Sequence, residues 1–418
     1  MFFLGALGFF VALLVSVTLH EAGHFLTAKR FGMKATQFFV GFGPTVWSRQ
    51  KGETEYGVKA VPLGGFVKIV GQTPLDEIEP GDEGRVFYKH PTWQKFIVLV
   101  AGSTMHFVIC FVLVFLAVVT VGVVDDQTPV VTQPSSCVLT SVTQAQLDNT
   151  KLKFKTAPDS HGNCPANTVP GAAKAAGFRN GDRVLAVDGT KVATYLDFAR
   201  YVRAHPGDRL SVVVRRGSQQ QVLHVTPILT SRPDLDHPSQ EVRVGAIGLG
   251  QSPTELRHVS FFQAFPETGD QIGNMVSATW TTLAHKVGSL GGIYGPNRDP
   301  QGFIGIVGAG RISGEVFNLP LPFDFQLLNF LIIVASLNLF VGVFNLLPLL
   351  PLDGGHIAVV WFEAVRDRIK RARGYVGDVI RVDYNRLMPV TFAVIVVFVG
   401  FTFWVLGADI VNPIKVSQ

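Results

Sequence analysis

Charged residues are scarce in this sequence. Asp, Glu, Lys and Arg make up 16% of its 418 residues, whereas 47% are hydrophobic. A soluble globular domain usually carries about a quarter charged residues. The shortage argues against an ordinary soluble protein, and the net charge of +5 is modest. We therefore expect a membrane protein in contact with the lipid bilayer, with no nucleic-acid partner.

The hydrophobic residues are concentrated in four long runs. These runs cover residues 1–19, 96–124, 325–352 and 389–406. Each approaches or exceeds the roughly 20 residues that a helix needs to cross a bilayer. The first run lacks the basic flank and the small-residue cleavage site of a signal peptide, so we interpret it as a membrane helix that continues to Arg30.

Basic residues predict the orientation of these helices. They are concentrated in the loop after the first run (Lys29, Arg30, Lys34, Arg49, Lys51, Lys59, Lys68) and in the loop after the third (Arg366, Arg368, Lys370, Arg371, Arg373, Arg381, Arg386). Loops rich in Lys and Arg tend to remain in the cytoplasm. We predict a multi-pass protein of the plasma (inner) membrane, with both termini and the segment between the second and third runs outside the cytoplasm.

Cysteine is rarer still, with only three residues. Cys110 lies within the second apolar run and is expected to be buried. Cys137 and Cys164 both lie in the predicted outside segment, where the compartment permits disulfides. A bridge between them is the favoured prediction, and two unpaired thiols are the alternative.

The outside segment contains the pattern of a soluble domain from residue 128 to residue 231. Strand-like alternation at residues 183–187 and 210–214 flanks helical spacing at residues 196–203. A Gly-Asp turn at Gly181 leads into a strand that ends in Asp-Gly, which resembles a PDZ domain of the bacterial protease type. Such domains bind extended peptides at a sheet edge. The alternative is a small α/β domain that separates the helices and binds nothing.

The first chemical motif is His-Glu-x-x-His at the end of the first run. His20 and His24 lie four residues apart and therefore share one face of a helix, where two imidazoles can bind one Zn²⁺. Glu21 can take a proton from the water that completes such a site. Ionisable residues in a membrane helix usually have a function. The alternative is that the three side chains merely occupy a hydrated helix end.

A third metal ligand is expected from another apolar run, because zinc in hydrolytic sites usually takes three protein ligands. The third run ends at Asp353, preceded by Pro348 and Pro351 and followed by two glycines. These residues break or kink a helix where the backbone opens toward a site. His356 is a rival ligand by its chemistry, but a polar residue at the start of the cytoplasmic side is the favoured interpretation.

Together the two motifs resemble the site-2 protease family of intramembrane metalloproteases. That family pairs His-Glu-x-x-His with Asn-x-x-Pro-x-x-Pro-Leu-Asp-Gly, and residues 345–354 fill the second pattern. The resemblance implies that His20, His24 and Asp353 bind zinc and that Glu21 is the general base and acid. It also implies that Asn345 helps hold the substrate or the oxyanion.

Further segments support the resemblance, and one departs from it. Residues 41–44 and 61–68 are similar to the family's membrane-associated β-structure on the cytoplasmic side, although an ordinary cytoplasmic hairpin is the alternative. His106 stands where the family often has asparagine. A polar core residue is its favoured interpretation, and a hydrogen bond near the site is the alternative. Helical spacing from Ile272 to Val287 predicts an amphipathic helix on the outer membrane surface.

The predicted fold class is a polytopic α-helical membrane protein with about four transmembrane helices, an inserted extracytoplasmic PDZ-like α/β domain and a cytoplasmic-side β-hairpin region. The predicted segments are transmembrane helices at 1–30, 94–124, 325–354 and 389–411, cytoplasmic loops at 31–93 and 355–388, the PDZ-like domain at 128–231 and an extracytoplasmic linker at 232–320.

The predicted activity is that of a zinc endopeptidase in regulated intramembrane proteolysis. The resemblance is greatest to bacterial members, and an actinobacterial member is one interpretation. It implies single-pass substrates such as anti-sigma factors already cut by another protease, or remnant signal peptides. The alternatives are a catalytically inactive PDZ scaffold and an ion or proton pathway through intramembrane His, Glu and Asp.

Overall fold

A computed structural model gives the architecture of the chain. It describes residues 1–72, 78–124, 129–143, 157–159, 162–235, 240–250, 256–285, 292–295, 298, 302–319, 321–376 and 382–414. The chain divides into two compact units. Unit 1 comprises Met1–Val121 and Val259–Gln418, and unit 2 comprises Gly122–His258.

Unit 1 consists mainly of helices. They are α1 (Phe2–Arg30), α2 (Thr92–Thr120), α5 (Ala264–His285), α6 (Ile306–Val316), α7 (Phe323–Asn345), α8 (Asp353–Ala372) and α9 (Tyr384–Val411), with a 3₁₀ turn at Phe87–Lys89. Among the described residues, four helices are long and apolar enough to cross a membrane: α1, α2, α7 and the Arg386–Val411 part of α9. The prediction of four long apolar helices is confirmed.

The third of these helices ends earlier than the sequence suggested. Helix α7 stops at Asn345, and Asp353 is the first residue of a separate helix, α8. The prediction of one helix from 325 to 354 was therefore wrong, because Pro348 and Pro351 lack the N–H groups that would continue it. The interval 355–388 also holds most of α8 rather than only a loop.

Unit 1 also contains a long antiparallel hairpin. Strands β1 (Ala35–Lys51) and β2 (Thr54–Ile69) pair with several irregularities in register. The base of the hairpin joins the core between α1, α2 and α8. That core contains Phe25, Ala28, Met33, Ala35, Ile69, Phe87, Val98, Leu99 and Val360. The hairpin is thus anchored beside the end of α1 that carries the His-Glu-x-x-His motif.

A buried ion pair holds the far end of α9. Arg298 Nη2 lies 2.7 Å from Asp409 Oδ1, and both side chains are almost fully buried. Asp409 Oδ2 also accepts hydrogen bonds from the backbone N–H groups of Gly305 and Gly308. These bonds attach α9 to the first turn of α6, and the pairing of both charges offsets the cost of burying them.

Unit 2 is a small α/β domain. Its elements are β3 (Val123–Val124), β4 (Cys137–Leu139), β5 (Thr168–Pro170), α3 (Ala172–Ala175), β6 (Arg183–Val187), β7 (Thr190–Lys191), α4 (Tyr195–Ala204), β8 (Leu210–Arg216), β9 (Gln219–Val225), β10 (Ile228–Pro233), β11 (Glu241–Ala246) and β12 (Leu256–Arg257). The main sheet has the order β7-β6-β8-β9, and β10 pairs with β11, β4 with β5, and β3 with β12. A capping box formed by Thr194 and Asp197 starts α4.

Two features of unit 2 bear on the sequence predictions. Cys137 and Cys164 form a disulfide, so the bridge is confirmed, and Cys110 is buried and free. The unit extends to His258 rather than ending at residue 231, because β10 needs β11 as its antiparallel partner.

In unit 1, the predicted amphipathic helix is present as α5, although Val287 lies outside the described residues.

Candidate metal centre

The His-Glu-x-x-His motif lies on the second half of α1. His20 is 7% exposed, and Glu21 and His24 are half-buried. His20 Nε2 and His24 Nε2 are 3.2 Å apart, as the i, i+4 spacing on one helix face requires. Both ring nitrogens therefore point to one place.

Asp353 reaches the same place from α8. Its Oδ2 atom lies 3.4 Å from His20 Nε2 and 3.3 Å from His24 Nε2. Gly354 makes this possible, because any Cβ at that position would collide with the backbone carbonyl oxygens of Leu346 and Leu347. The chain folds back tightly there, and Asp353 meets α1 although the two are far apart in sequence.

The three ligand atoms fit a zinc ion. Donors at the corners of a tetrahedron about 2.0–2.1 Å from zinc are about 3.3 Å apart, which is the spacing of these three atoms. Asp353 Oδ2 is also buried without a hydrogen-bond donor among the described residues. Two imidazoles and one carboxylate are a donor set of the kind found in catalytic zinc sites, which keep a fourth position open.

Groups on α2 orient the histidines. The Val98 carbonyl accepts a hydrogen bond of 2.7 Å from His24 Nδ1, which leaves the Nε2 lone pair for a metal. Gly102 faces both rings, and a Cβ there would collide with His24 Nε2 and His20 Cε1. Glycine at this position thus lets the α2 backbone approach the site.

Glu21 faces the hairpin. The backbone of Val67 hydrogen-bonds its carboxylate, and a Cβ on Gly65 would lie 3.3 Å from Glu21 Cγ. Strand β2 therefore positions this carboxylate beside the ligand cluster. The arrangement can hold a metal and can also offer a base to a neighbouring water.

His106 and Asn338 form a buried polar pair behind His20. The sequence analysis considered His106 but not Asn338. The His106 ring lies 4.9 Å from the His20 ring, measured between centroids. His106 Nδ1 lies 2.9 Å from Asn338 Oδ1, and Asn338 Nδ2 donates to the Val334 carbonyl. Both side chains are about 1% exposed. His106 is therefore a buried polar residue, as favoured, but it also contacts a predicted ligand.

Two further residues considered in the sequence analysis, His356 and Asn345, lie within eight residues of Asp353 in the sequence. His356 is in the first turn of α8 but is not part of the His20, His24 and Asp353 cluster, which is the group among the described residues that could hold a metal ion. Asn345 is the last residue of α7 and is half-buried. Its role in holding substrate stays a prediction.

Comparison with known proteins identifies the family. The model of peptidase family M50 matches residues 8–380. The chain is 39% identical over 427 residues to zinc metalloprotease Rip1 of Mycobacterium tuberculosis and 36% identical over 433 residues to Rip1 of Mycolicibacterium smegmatis, covering 100% of each protein and of this chain. It is 29% identical over 385 residues to metalloprotease MmpA of Caulobacter vibrioides, covering 86% of both. The chain therefore belongs to peptidase family M50.

Proposed function

We propose that this chain is an intramembrane zinc endopeptidase that cuts peptide bonds within membrane-spanning segments of other proteins. The observation that carries the proposal is the convergence of His20 Nε2, His24 Nε2 and Asp353 Oδ2 at 3.2–3.4 Å, next to Glu21. The three ligands come from helices that are distant in sequence, and α1 is long and apolar enough to span a membrane.

The enzyme class is that of a zinc metalloprotease, as the family and the relatives' names indicate. His20, His24 and Asp353 would hold the ion. When bound, Zn²⁺ supplies Lewis-acid chemistry, which polarises a carbonyl group and makes water more acidic. The Val98 carbonyl and Gly102 keep the imidazoles in the orientation that binding requires.

Glu21 transfers the proton. Its carboxylate accepts a proton from the attacking water and returns it to the leaving amine nitrogen when the peptide bond breaks. The contact with Val67 orients the carboxylate for both steps. We assign to Asn345 a role in holding the substrate, on the basis of the motif alone.

The substrate must unwind before it is cut, because a helix engages its carbonyl groups in hydrogen bonds to residue i+4. We propose single-pass membrane proteins as substrates, such as anti-sigma factors already shortened by another protease, or remnant signal peptides. The clusters of lysine and arginine around the hairpin and α8 support an active site near the cytoplasmic side. The same rule supports an extracytoplasmic position for unit 2 and both termini.

We also propose that unit 2 is a PDZ-like domain. A cavity of about 200 Å³ lies between α4 and residues 245–249, a place where an extended peptide could add to a strand. The buried Asp182 of the Gly-Asp turn pairs with Arg216 at 2.7 Å, which fixes that turn to the sheet. Unit 2 would either bind peptide in this groove or exclude bulky substrates.

The assignment of roles is tested by zinc content and cleavage of a membrane-embedded reporter. Glu21→Gln should keep zinc but lower the cleavage rate by about 10²–10⁴-fold, since it removes the base and no ligand. Asp353→Ala should lose both zinc and cleavage. Glu83→Gln, the same change at an exposed site in unit 1, should affect neither.

The results separate the alternatives. Substantial turnover by Glu21→Gln would contradict the mechanism. A wild-type chain that binds no zinc and cuts no reporter would instead support an inactive scaffold or an ion pathway.

A further inference from the structure

Helix α8 has two apolar faces, and the protein core accounts for one of them. Beyond its first turn, α8 buries Val360 and Glu363 on one side, and Val360 belongs to the core shared with α1 and α2. The opposite side exposes large apolar side chains. Their exposed fractions are 67% for Trp361, 55% for Phe362, 39% for Val365 and 48% for Ile369.

These exposed side chains form one continuous arc. At about 100° per residue, Trp361, Val365, Ile369 and Phe362 lie within roughly 100° of one another around the helix axis. A soluble helix rarely exposes such a stripe next to a packed face. A helix that lies in a membrane interface has this pattern, with its apolar arc among the lipid chains.

Basic residues flank the arc on both sides. By the same angular spacing, Arg368 and Arg371 follow one edge, and Arg366 with Lys370 follows the other. Residues 357–373 contain five basic residues (Arg366, Arg368, Lys370, Arg371, Arg373) and two acidic ones (Glu363, Asp367), a net charge of +3. Glu363 is buried and accepts a hydrogen bond from the Val382 N–H, and Asp367 pairs with Arg371. The flanks are therefore predominantly cationic.

We propose that α8 docks on anionic lipid headgroups of the cytoplasmic leaflet and that this lipid surface helps hold the third metal ligand in place. The apolar arc inserts between acyl chains, and the flanking arginines bind the headgroup phosphates. Charge complementarity selects the occupant, because anionic lipid surfaces attract clustered Lys and Arg near membrane helices.

The link to the metal site is geometric. Asp353 is the first residue of α8, and the exposed arc lies on the same continuous helix. The turn before Asp353 leaves little room, since a Cβ at Gly354 or Gly355 would collide with the backbone of residues 346–350. A tilt or rotation of α8 would therefore move the Asp353 carboxylate relative to His20 and His24.

The proposal rests on the proposed cytoplasmic placement of α8. Its test therefore measures lipid contact of α8 separately from proteolytic activity. Val365→Cys offers a probe site, because Cys137 and Cys164 are bridged and Cys110 is buried. An environment-sensitive fluorophore is attached at this position in the full chain, in vesicles of phosphatidylcholine with or without phosphatidylglycerol. Ser218→Cys, exposed in unit 2, is the matched control.

Brominated lipid should quench the Val365 probe and leave the Ser218 probe bright. Replacing Arg368 and Arg373 by glutamine should shift the docked equilibrium roughly 25-fold toward the undocked state in vesicles with phosphatidylglycerol. Arg209→Gln, an exposed arginine of unit 2, should cause no shift. Zinc retained after a chelator wash should be higher with phosphatidylglycerol, and the double variant should lose this difference.

A probe at Val365 that is unquenched and water-exposed in both lipids would overturn the proposal. Equal zinc retention in both lipids would overturn the coupling to Asp353. Cleavage of a trimmed reporter in the same vesicles reports on the proposed function independently, because that activity can persist when α8 does not dock.

Discussion

Gly102 lies where the α2 backbone passes both imidazoles of the metal centre. A side chain there would occupy the space of His24 Nε2 and His20 Cε1. In a helix interior, alanine is more favourable than glycine by about 1 kcal/mol. Local helix stability and the needs of the metal centre therefore oppose each other at this one position.

Gly102→Ala should consequently leave the helical content intact and lower zinc retention at least about tenfold, the scale on which disturbed metal surroundings act. Zinc per chain after dialysis and far-UV circular dichroism measure the two effects. Gly400→Ala is the control, because a Cβ there meets nothing within 4 Å. Normal zinc binding by Gly102→Ala would show that the two imidazoles are not held against α2.

Ion pairs attach the β1–β2 hairpin to the end of α1 and to the segment before α2. Glu53, the last turn residue before β2, pairs with Arg85 through two hydrogen bonds of 2.7 and 2.9 Å and with Lys29 at 3.1 Å. The hydrogen bonds from Arg85, followed by those from Lys29, lower the pKa of Glu53 from 4.5 to about 2. One carboxylate thus ties the end of α1, the hairpin and the segment before α2 together.

The pH dependence follows from the direction of this shift. The pairing stabilises the folded hairpin fully above about pH 4.5 and is lost as the pH falls through about 2. Because the side chains of Lys29 and Arg85 are 34% and 43% exposed, solvent screens the pairing and its contribution should be at most about 1 kcal/mol. Glu53→Gln should lower thermal stability in detergent at neutral pH, and its difference from the wild type should vanish near pH 2. A constant difference across this range, or an equal effect of Glu83→Gln, would contradict the assignment.

At the scale of the whole molecule, the proposed topology can be tested with an impermeant thiol reagent. Cysteines at Ser48 in the hairpin and at Arg373 after α8 should be shielded in intact cells. One at Ser218 in unit 2 should react. The native cysteines add little background, since two are bridged and the third is buried. Labelling at Arg373 from outside would invert the topology.

The insertion of unit 2 between α2 and α5 suggests a substrate filter. The filter would be steric, because a folded unit that follows the membrane helix α2 in the chain would exclude a substrate with a large outside domain. The structure provides a clean deletion site, since Val124 of β3 pairs with Leu256 of β12. Replacing residues 125–255 by a short turn retains this strand pair.

The deletion variant should then cut untrimmed substrate as well as trimmed substrate. A substitution in the groove of unit 2 alone, such as Ala199→Trp, should have a smaller effect. Cleavage of matched reporters with and without an outside domain measures the difference. If the variant keeps zinc and cuts only the trimmed reporter, the filter hypothesis fails.

The sequence by itself determined the features that depend on local periodicity. Four apolar runs of membrane-spanning length predicted four long helices, and the i, i+4 spacing of His20 and His24 predicted a two-histidine face. The pattern around Asp353 predicted a third metal ligand, and the Asp353 carboxylate lies beside the two histidines. These signals lie within one helix or one short segment, so no knowledge of packing was needed to find them.

Tertiary structure decided the features that join distant segments. The approach of Gly102 to both imidazoles and the contact of His106 with Asn338 depend on how α1, α2 and α7 meet. Asn338 in an apolar helix carries no signal of its own, since its partner lies on α2. The position of Glu21 likewise depends on Gly65 and Val67 of a strand whose register is irregular. Long-range packing, which local patterns do not encode, brings these groups together.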